Sequence, residues 1–567
     1  MPNGRLMTQT ASKPTMNRDP WCYRGKRLTE RIIQLTTLPA VIDRHAAGEG
    51  MDRPALTWYV DQARTTHWTY REMIADVHCL AAELALHHRV SRGDRVMVIS
   101  ANCPEAYLTY LAILYIGAIA VPVNNVESTR NLQYIAGQVQ PVLAVTGLGV
   151  GADLLVAIDA SRIGAEELLA NARARGAASM PSPAVEPDDL AVLLFTSGTT
   201  SSPKGVRLSH YNILVNAEGL RIAHALDVNQ HHLCILPLFH ANAFGFSMIG
   251  SVYAGCHTVL CNRFSGQGLW EIASREQINI LSAVPEIIRL LGSRRSKPEL
   301  SPDFRYVVSA AAPLSRTDAA SFEKNLGIPI HQGYGLSECT NFAATTPASI
   351  DPIVRRRLMN EWIVPSIGPA LFGTELKIAR RDGSPADQGE EGEILIRGHN
   401  VMSGYWRADE ETALAFADGW LHSGDLGFFV QVEEVPYFFV TGRLKEIILR
   451  RGDSISPRAV EAELAALSHV GRFAACGFRN EWAGEEIGVY VSTDDLDHAL
   501  AEVRAIVERC SSRYRPGVVM VGARTIPATV TGKIQRRQLA SRFGAFAAAA
   551  LGGKPRVVAD EATGGNG

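Results

Sequence analysis

The sequence lacks a surplus of charge of either sign, and it lacks any close pair of cysteines. Lysine and arginine number 56 against 58 aspartates and glutamates, which leaves a formal net charge of −2. This balance argues against a nucleic-acid-binding or anionic-membrane surface, because proteins with such surfaces are usually strongly basic. The 9 cysteines are scattered and free of CxxC spacing. We therefore expect neither a disulfide framework nor a zinc site. The same cysteine usage favours a reducing compartment, and we expect a cytoplasmic location.

The N-terminal stretch MPNGRLMTQTASKPTMNRDP also lacks the apolar core of a secretory signal. One apolar stretch, Ala106–Val123, is long enough to raise the question of a membrane span. Gly117 and Pro122 interrupt it, which favours a buried helix followed by a buried strand, with the membrane span as the alternative. We expect no stable insertion into a membrane.

The chain does contain an alternation of helical and strand patterns from about Thr69 to Ala310. YREMIADVHCLAAELALHH has helical apolar spacing, whereas RVMVIS, VLAVTG, HTVLC, INILSAV and FRYVVSA have the pattern of strands. Such alternation is typical of βα units around a mostly parallel sheet, so the predicted fold class is α/β. After Gly368, short strands and glycine-rich turns predict a small antiparallel or barrel-like subdomain. Past Gly442 the pattern is α+β.

A chain of 567 residues is expected to fold as more than a single domain. We expect a flexible N-terminus over residues 1–25, a large N-terminal domain over 26–442 and a small domain over 443–545. The tail, residues 546–567, is polar and rich in glycine, and is expected to be disordered.

The stretch LLFTSGTTSSPKGVRLSH, Leu193–His210, joins an apolar strand to a loop rich in glycine and hydroxyl groups that ends in Lys204. Such a loop can direct successive backbone N–H groups into one concavity, and its hydroxyls and lysine add donors for a polyphosphate. The spacing is wrong for a Walker A loop, because Pro203 stands where that motif requires its second glycine. The alternative is a flexible linker. Taken alone, the loop indicates only phosphate binding.

Four further stretches follow in order: GYGLSE at 333–338, WLHSGDLG at 420–427, GRLKEIILRRGDSISPRAVEAEL at 442–464 and TVTGKIQRRQL at 529–539. With the loop, they resemble the adenylate-forming superfamily, which comprises acyl-CoA synthetases, luciferases and the adenylation domains of peptide synthetases. The resemblance runs from about Trp68 to Leu539. It implies a large adenylate-forming domain, built of parallel αβ subdomains and a small β-barrel-like subdomain, and a small mobile α+β domain at the C-terminus.

The resemblance implies a reaction in two steps that uses ATP, Mg²⁺ and CoA. A carboxylic acid attacks the α-phosphate of ATP and pyrophosphate leaves; a thiol then attacks the acyl-adenylate. The first interpretation is an acyl-CoA synthetase, which is an acid–thiol ligase. One alternative transfers the acyl group to the phosphopantetheine arm of a carrier protein. Another is a catalytically silent nucleotide-binding homologue.

By this resemblance the loop would hold the β- and γ-phosphates, and Glu338 would bind Mg²⁺ with Thr196 as a second metal contact. Ser201 stands where the family usually has glycine, and its Cβ restricts the backbone. Taken alone, Glu338 is more simply a surface carboxylate after a turn. The implied phosphate-binding set is Thr196, Ser197, Gly198, Thr199, Thr200 and Lys204.

The segment SAAAPLS would pack its backbone against adenine, which small side chains permit, and Tyr334 would stack near the same ring. Asp425 would accept hydrogen bonds from the two ribose hydroxyls, with Arg443 supporting the ribose or phosphate side. Ser337 replaces the usual threonine, and its hydroxyl would still reach the α-phosphate. Taken alone, Asp425 is a turn-capping residue. The implied nucleotide-binding set is Ala310, Ala311, Ala312, Gly333, Tyr334, Gly335, Ser337, Asp425 and Arg443.

Lys533 in TGKI would be the adenylation lysine. It would bridge the carboxylate of the acid and the α-phosphate, where two anions meet and cations must offset their charge. The alternative is a solvated lysine in a basic run. His240 in LPLFHANAFGF would lie beside the acyl carboxylate, where amino-acid-activating relatives commonly have aspartate, so we expect an acid without an α-amine. The alternative is a core histidine.

Lys445 would be the hinge about which the small domain rotates after adenylation, moving Lys533 away and bringing the Gly452 loop to the site. RRGDSISP resembles the CoA-ligase version of that loop, although Asp453 and Ser454 replace the usual Glu-Asn pair. The basic side chains of this segment either attract CoA phosphates or are solvated surface charge. They are Arg450, Arg451 and Arg458.

The sequence does not identify the acid. Mostly small, apolar residues are expected to line or approach its pocket, which favours a medium-length, cyclic or aromatic acid. This set is Ala241, Asn242, Ala243, Phe244, Gly245, Ala310, Ala311 and Cys339. Neither does the sequence fix the oligomeric state.

Overall fold

The computed structural model describes residues 19–156, 158–177, 183–196, 203–266, 268–293, 298–529, 532–551 and 554–560. Part of the predicted phosphate loop lies outside these ranges, namely Ser197, Gly198, Thr199, Thr200 and Ser201. Within them, the chain forms four sheets with helices packed against them.

The strands before residue 444 are, in chain order, β1 (Pro54–Val60), β2 (Ala63–Thr69), β3 (Arg95–Ile99), β4 (Ile119–Val123), β5 (Leu143–Thr146), β6 (Ser161–Gly164), β7 (Leu190–Thr196), β8 (Lys204–Ser209), β9 (His231–Cys234), β10 (His257–Cys261), β11 (Ile280–Ala283), β12 (Tyr306–Ser309), β13 (Ile330–Tyr334), β14 (Ala344–Thr345), β15 (Thr374–Ala379), β16 (Gly392–Gly398), β17 (Phe416–Ala417), β18 (Trp420–Val432) and β19 (Val435–Arg443). The later strands are β20 (Ile448–Arg450), β21 (Asp453–Ile455), β22 (Arg472–Asn480), β23 (Gly484–Ser492), β24 (Val518–Gly522) and β25 (Arg556–Ala559).

The α-helices of the described residues are α1 (Leu38–Ala47), α2 (Tyr70–Ala82), α3 (Pro104–Tyr115), α4 (Thr129–Val139), α5 (Ala152–Val156), α6 (Ala165–Arg175), α7 (His210–His224), α8 (Ser251–Ala254), α9 (Leu269–Arg275), α10 (Pro285–Gly292), α11 (Arg316–Leu326), α12 (Pro352–Asn360), α13 (Asp409–Ala415), α14 (Pro457–Glu463), α15 (Leu496–Glu508) and α16 (Arg536–Ala540).

Two mostly parallel sheets form the greater part of the large domain. The eight-stranded sheet has the order β14-β13-β12-β11-β9-β10-β1-β2, and only its two edge pairs are antiparallel. The six-stranded sheet has the order β6-β5-β3-β4-β7-β8, and only the β7–β8 hairpin is antiparallel. Strands β3 and β4 are almost entirely buried. Their sequences are almost continuously apolar because a strand of a parallel sheet is covered on both faces. The predicted α/β class is confirmed.

The predicted small antiparallel subdomain is also confirmed. Strands β15, β16, β18 and β17 pair in that order, and β19 pairs with β18. β15 lies at one edge of this sheet, β17 and β19 both pair with the side of β18 that faces away from β16, and Phe438 of β19 forms a further bridge to Gly368. The pairing of β18 with β19 runs from Asp425 opposite Arg443 to Val432 opposite Val435.

The chain after Arg443 has its own sheet and its own core. Its sheet has the order β21-β20-β23-β24-β25, and β22 pairs with the other edge of β23. One buried cluster drawn only from this part of the chain includes Ile448, Val489 and Val503, all with 0% exposure. A separate core is what allows a small domain to act as a unit.

The apolar stretch Ala106–Val123 forms α3 and β4, as predicted, and Gly117 lies between them at a φ of +73°. All side chains of α3 except that of Glu105 are buried. Across the part of the chain that the structure describes, no helix is both long and apolar enough to cross a membrane.

Both ends of the described chain are more ordered than the sequence predicted. Cys22 is fully buried, and the Trp21 indole donates a hydrogen bond to the Met402 carbonyl at 3.2 Å. At the other end, β25 pairs in parallel with β24. The prediction of a flexible N-terminus is therefore wrong for residues 19–25, and the prediction of a disordered tail is wrong for 554–560. Both segments gain order from partners remote in sequence, which composition does not reveal.

Candidate active site

A cavity of about 1000 Å³ lies between the large and the small domain. The large domain contributes Tyr334 and Asp425 to its wall, the small domain contributes Arg458 and Lys533, and Arg443 at the boundary between them, the last residue of β19, also lines it. On the large-domain side, the cavity opens at the carboxyl ends of the parallel strands β12 and β13. This is where open α/β sheets usually bind ligands.

Asp425 and Arg443 form the charged centre of the cavity wall. The strand register sets them opposite each other, and Nε of Arg443 lies 2.8 Å from Oδ1 of Asp425. The Tyr334 hydroxyl donates to Oδ2 of the same carboxylate at 2.9 Å. Asp425 is only 3% exposed, so these donors compensate for its lost hydration. Burial alone would lower the pKa of Arg443, but the charges of Asp425 and Glu446 outweigh it and raise that pKa.

Lys533 lies on a tight turn of the small domain that faces this charged pair. Its backbone N–H donates to Oγ1 of Thr529 at 3.1 Å, and the Gly532 N–H donates to the Thr529 carbonyl at 2.8 Å. Gly532 has a φ of +81°, a conformation that glycine adopts without strain. Burial, followed by the nearby charge of Arg443, lowers the pKa of Lys533 to about 8, although Asp425 opposes the shift.

Two arginines of the small domain contribute to the site: Arg458, which was predicted either to attract CoA phosphates or to be solvated surface charge, and Arg536, which was not predicted as a site residue. The Arg458 side chain donates to the Val440 carbonyl at 3.0 Å, and burial lowers its pKa to about 10. Arg536 pairs with Glu446 at 3.0 Å and with Glu461 at 2.6 Å. Both line the cavity. Their only signal in the sequence is a basic run, which does not distinguish a buried arginine from a solvated one.

Glu338 lies on a short 3₁₀ helix, Ser337–Cys339, just after the turn that follows β13. The Tyr405 hydroxyl donates to its Oε1 at 2.8 Å. The ammonium of Lys204 lies 5.1 Å from the centre of the Tyr405 ring, within cation–π range. Tyr405 therefore connects the described end of the phosphate loop to the predicted metal ligand.

A magnesium ion fits these residues through the single carboxylate of Glu338. Among the described residues, no cluster of three or more His, Cys, Asp or Glu side chains is placed to hold a metal. Mg²⁺ in nucleotide sites is usually held by one or two carboxylates together with substrate phosphates, so one well-placed glutamate is sufficient. Thr196, the other predicted metal contact, is paired with Lys204 across the β7–β8 hairpin.

Small residues shape the floor of the cavity. Ala311 and Ala312 line it, and Ala311 has a φ of +70°, an uncommon conformation for a residue with a side chain. Gly333 and Gly335 also line it. A Cβ on Gly335 would lie 1.8 Å from the Asn341 carbonyl oxygen, so only glycine fits there. Ala310 is buried at 2% exposure, where its N–H donates to the Ala283 carbonyl.

His240 lies in a buried environment at the start of the segment that leads into a π-helix, Ala243–Gly250. Burial lowers its pKa to about 4, so the imidazole is neutral at pH 7. Its Nε2 is buried and makes no hydrogen bond within the described structure. Of the residues predicted near the acid, Ala311 lines the cavity. The following are buried: Asn242, Ala243, Phe244, Gly245, Ala310 and Cys339.

The structure does not bring Lys445 or Gly452 to the cavity wall. Lys445 is exposed on a short 3₁₀ helix, Leu444–Glu446, and Gly452 is exposed on a turn with a φ of +91°. Two arginines of this segment, Arg450 and Arg451, make contacts within the small domain. Arg450 pairs with Glu486 at 2.8 Å, and Arg451 donates to the Leu551 carbonyl at 3.2 Å.

Comparisons with known proteins agree with the motifs. A family model described as AMP-binding enzyme matches residues 42–406. The protein named "Probable CoA ligase CCL9" from Humulus lupulus is 30% identical over 521 residues, which span 88% of this chain and 95% of that protein. A sulfoacetate–CoA ligase from Cupriavidus necator is 31% identical over 464 residues, which span 79% of this chain and 87% of that protein.

Solved structures show the same fold. ATP-bound MatB from Rhodopseudomonas palustris superimposes with a TM-score of 0.79 at 24% identity, covering 90% of this chain and 99% of that one. O-succinylbenzoate coenzyme A synthetase from Bacillus subtilis, solved with ATP and a magnesium ion, is 25% identical and covers 88% of this chain and 98% of its own. The chain belongs to the AMP-binding enzyme family, and the predicted resemblance is confirmed. Family and relatives support an acid–thiol ligase, and ATP-dependent acyl-CoA synthesis fits that family.

Proposed function

We propose that this protein is an AMP-forming acyl-CoA synthetase, which converts a carboxylic acid, ATP and CoA into an acyl-CoA, AMP and pyrophosphate. The observation that carries the proposal is that Lys533 of the small domain lines the same cavity as Asp425 of the large domain and Arg443 at the domain boundary. The similarity to proteins named as CoA ligases, over most of their length, supports the same reaction.

In the proposed first step, the cavity holds the nucleoside part of ATP. The Asp425 carboxylate accepts hydrogen bonds from the ribose hydroxyls and keeps Arg443 beside it as a counter-charge. Tyr334 stacks near the adenine, and its hydroxyl bond to Asp425 fixes the orientation of its ring. The backbone of Ala311 and Ala312 approaches the base, since no bulky side chain intervenes.

Lys533 then supplies positive charge where the carboxylate of the acid approaches the α-phosphate. A pKa of about 8 leaves most of the ammonium protonated at pH 7. Two anions bound beside it raise that pKa further, because an opposite charge favours the protonated form. A charge fixed in place before the reaction stabilises the developing pentavalent centre without reorganising solvent. Lys204 contributes charge from the phosphate loop, and His240, which is neutral at pH 7, lies beside the acyl carboxylate without adding a positive charge.

When magnesium is bound, it neutralises phosphate charge and assists departure of pyrophosphate. The residue of this chain proposed to hold it is Glu338. Its carboxylate accepts a hydrogen bond from the Tyr405 hydroxyl at 2.8 Å, which would orient it for this role.

In the proposed second step, the small domain rotates about Lys445 and the thiol of CoA attacks the acyl-adenylate. The thioester forms as the bond to AMP breaks, and AMP leaves. Lys445 is exposed between the two domain cores, and Gly452 lies on an exposed turn that such a rotation can bring to the site. The proposed domain division therefore remains 26–442 and 443–545.

The test is release of pyrophosphate from ATP and Mg²⁺ with a panel of carboxylic acids, in the presence and absence of CoA. Acid-dependent release that turns over only with CoA is expected. A single turnover unaffected by CoA would indicate a carrier protein as the acceptor. No release with any acid, together with intact ATP binding, would contradict the proposed activity. The control is Lys533→Ala, which is expected to bind ATP without supporting turnover.

A further inference from the structure

We propose that Glu286 is a positioning residue that holds the Lys533 turn in the cavity during adenylation, by bridging the large domain to Arg472 of the small domain. The inference rests on the proposed function for its catalytic consequence, and on the contacts of Glu286 for its geometry.

Glu286 lies in the first turn of α10, at the entrance of the cavity. Its two carboxylate oxygens have different partners. Oε1 accepts from Arg289 of the same helix at 2.5 Å, and Oε2 lies 3.0 Å from the Arg472 guanidinium. Arg289 therefore fixes the rotamer of Glu286, and the second oxygen is directed at the other domain.

Contacts within the small domain link Arg472 to the segment that follows Lys533. It is the first residue of β22, and Arg536 donates to the Ala475 carbonyl of that strand while it pairs with Glu461 of α14. Arg536 begins the helix that follows the Lys533 turn. Arg472 is therefore connected to Lys533 through packed structure of the small domain.

Glu286 also lies near Gly532 of the Lys533 turn. A Cβ on Gly532 would lie 3.6 Å from the Cβ of Glu286, which is ordinary van der Waals contact. The same residue therefore lies near the turn and pairs with Arg472, the first residue of β22. The largest charge effects on Lys533 come from Arg443 and Asp425, so Glu286 acts on the position of the turn rather than on its titration.

Within the described ranges, the pair of Glu286 with Arg472 is the one ion pair that joins the two domains away from the hinge segment. Hydrogen bonds between the described parts of the two domains include Ser456 to the Thr441 carbonyl and Arg458 to the Val440 carbonyl, both close to the hinge in the chain on the large-domain side, and Arg381 to Ser454. A contact near a hinge persists through rotation more readily than one far from it. The pair with Glu286 must break when the small domain turns, so it favours the arrangement that places Lys533 in the cavity.

The first measurement is amide hydrogen exchange of the full chain with ATP and Mg²⁺, in the wild type, Glu286→Gln and Arg472→Gln. The reporting amides are those of Gly532 and Lys533, which donate to Thr529. We expect exchange about two- to fivefold faster in both variants, the range that an ion pair of this exposure can produce. The matched control is Glu361→Gln, which removes an ion pair with Arg357 at the end of α12. Unchanged exchange in both variants would overturn the proposal, whether or not an acid substrate is known.

The second measurement separates the two half-reactions. Both variants are expected to slow acid-dependent pyrophosphate exchange about two- to fivefold and to leave thioester formation from supplied acyl-adenylate and CoA unchanged. The double variant is expected to be no slower than either single one, because both remove the same contact. Equal slowing of the two half-reactions would contradict a positioning role. The wild type could show no pyrophosphate exchange while both variants still exchange these amide hydrogens faster than the wild type. That result would support the contact and reject the proposed function.

Discussion

Asp425 and Arg443 face each other across two antiparallel strands, with Nε of the arginine 2.8 Å from Oδ1 of the aspartate. The pair lies in the wall of a cavity that both domains complete. One oxygen of the carboxylate is committed to Arg443 and the other to the Tyr334 hydroxyl. A carboxylate held in this way keeps its charge in a buried position and presents its remaining lone pairs to a ligand.

Asp425→Asn is expected to weaken ATP binding about tenfold to a hundredfold, because hydrogen bonds to a charged group contribute about 1.5–3 kcal/mol. Isothermal titration calorimetry with ATP and Mg²⁺ measures this. Asp382→Asn is the control, since Asp382 lies on an exposed turn and accepts hydrogen bonds only from Ser384 among the described contacts. Equal affinities for ATP in the wild type and Asp425→Asn would show that Asp425 does not contribute to ATP binding.

The pKa of Lys533 predicts a pH dependence of adenylation. Burial lowers that pKa from 10.5 to about 8, and the reaction needs the protonated ammonium. Acid-dependent pyrophosphate exchange at subsaturating ATP is therefore expected to fall as pH rises through about 8. Lys533→Arg keeps its charge in this range and is expected to lose the alkaline decline, although its rate is lower throughout. A decline of the same shape in both proteins would contradict the assignment.

The lowered pKa of Lys533 affects activity and stability in opposite directions: as pH rises, activity is expected to fall and the free energy of unfolding to increase. Below about pH 8 the folded and unfolded states both carry the Lys533 proton, and folding bears the cost of burying a charge. Between about 8 and 10.5 the unfolded state binds more protons than the folded state, so this group makes the free energy of unfolding rise with pH. Comparison of thermal unfolding in wild type and Lys533→Met over this range isolates the contribution. A difference that does not change with pH would contradict it.

Gly335→Ala is expected to destabilise the large domain and the nucleotide site together. The added Cβ would lie 1.8 Å from the Asn341 carbonyl oxygen, so the backbone must move, and steric changes of this kind cost roughly 1–3 kcal/mol or more. Thermal unfolding and ATP titration measure the two effects. Gly137→Ala is the control, because nothing lies within 4 Å of its Cβ position in α4 and alanine favours a helix. A melting temperature unchanged in Gly335→Ala would disprove the steric argument.

Buried histidines predict a loss of stability in mild acid. Burial lowers the pKa of several of them from 6.5 to about 4, namely His45, His210, His240 and His331. As pH falls from about 6.5 to about 4, the unfolded state gains protons before the folded state does, so the free energy of unfolding decreases. Chemical unfolding at pH 7 and pH 5 measures this. His210→Asn is expected to reduce the decrease, whereas His498→Asn, at an 80% exposed side chain, is expected to leave it unchanged.

Much of the architecture was predictable from local pattern. Helical spacing and strand spacing are properties of neighbouring residues, so α2, α3 and β4 were predicted close to their observed bounds. Loss of order at the two ends was predicted from composition and is wrong for residues 19–25 and 554–560. Those segments are held by Met402 and by β24, partners that composition does not specify.

The sequence by itself determined the class of fold, the order of the motifs and the family, because each depends on residue types at short spacing. Only the tertiary structure decided which charges meet. Lys533 reaches the Asp425–Arg443 pair because the small domain packs across the carboxyl ends of β12 and β13. Glu286 meets Arg472 through the same packing, and neither has a distinctive local pattern. A contact between residues remote in the chain depends on the shapes of two folded surfaces, and the sequence encodes those shapes only through the whole fold.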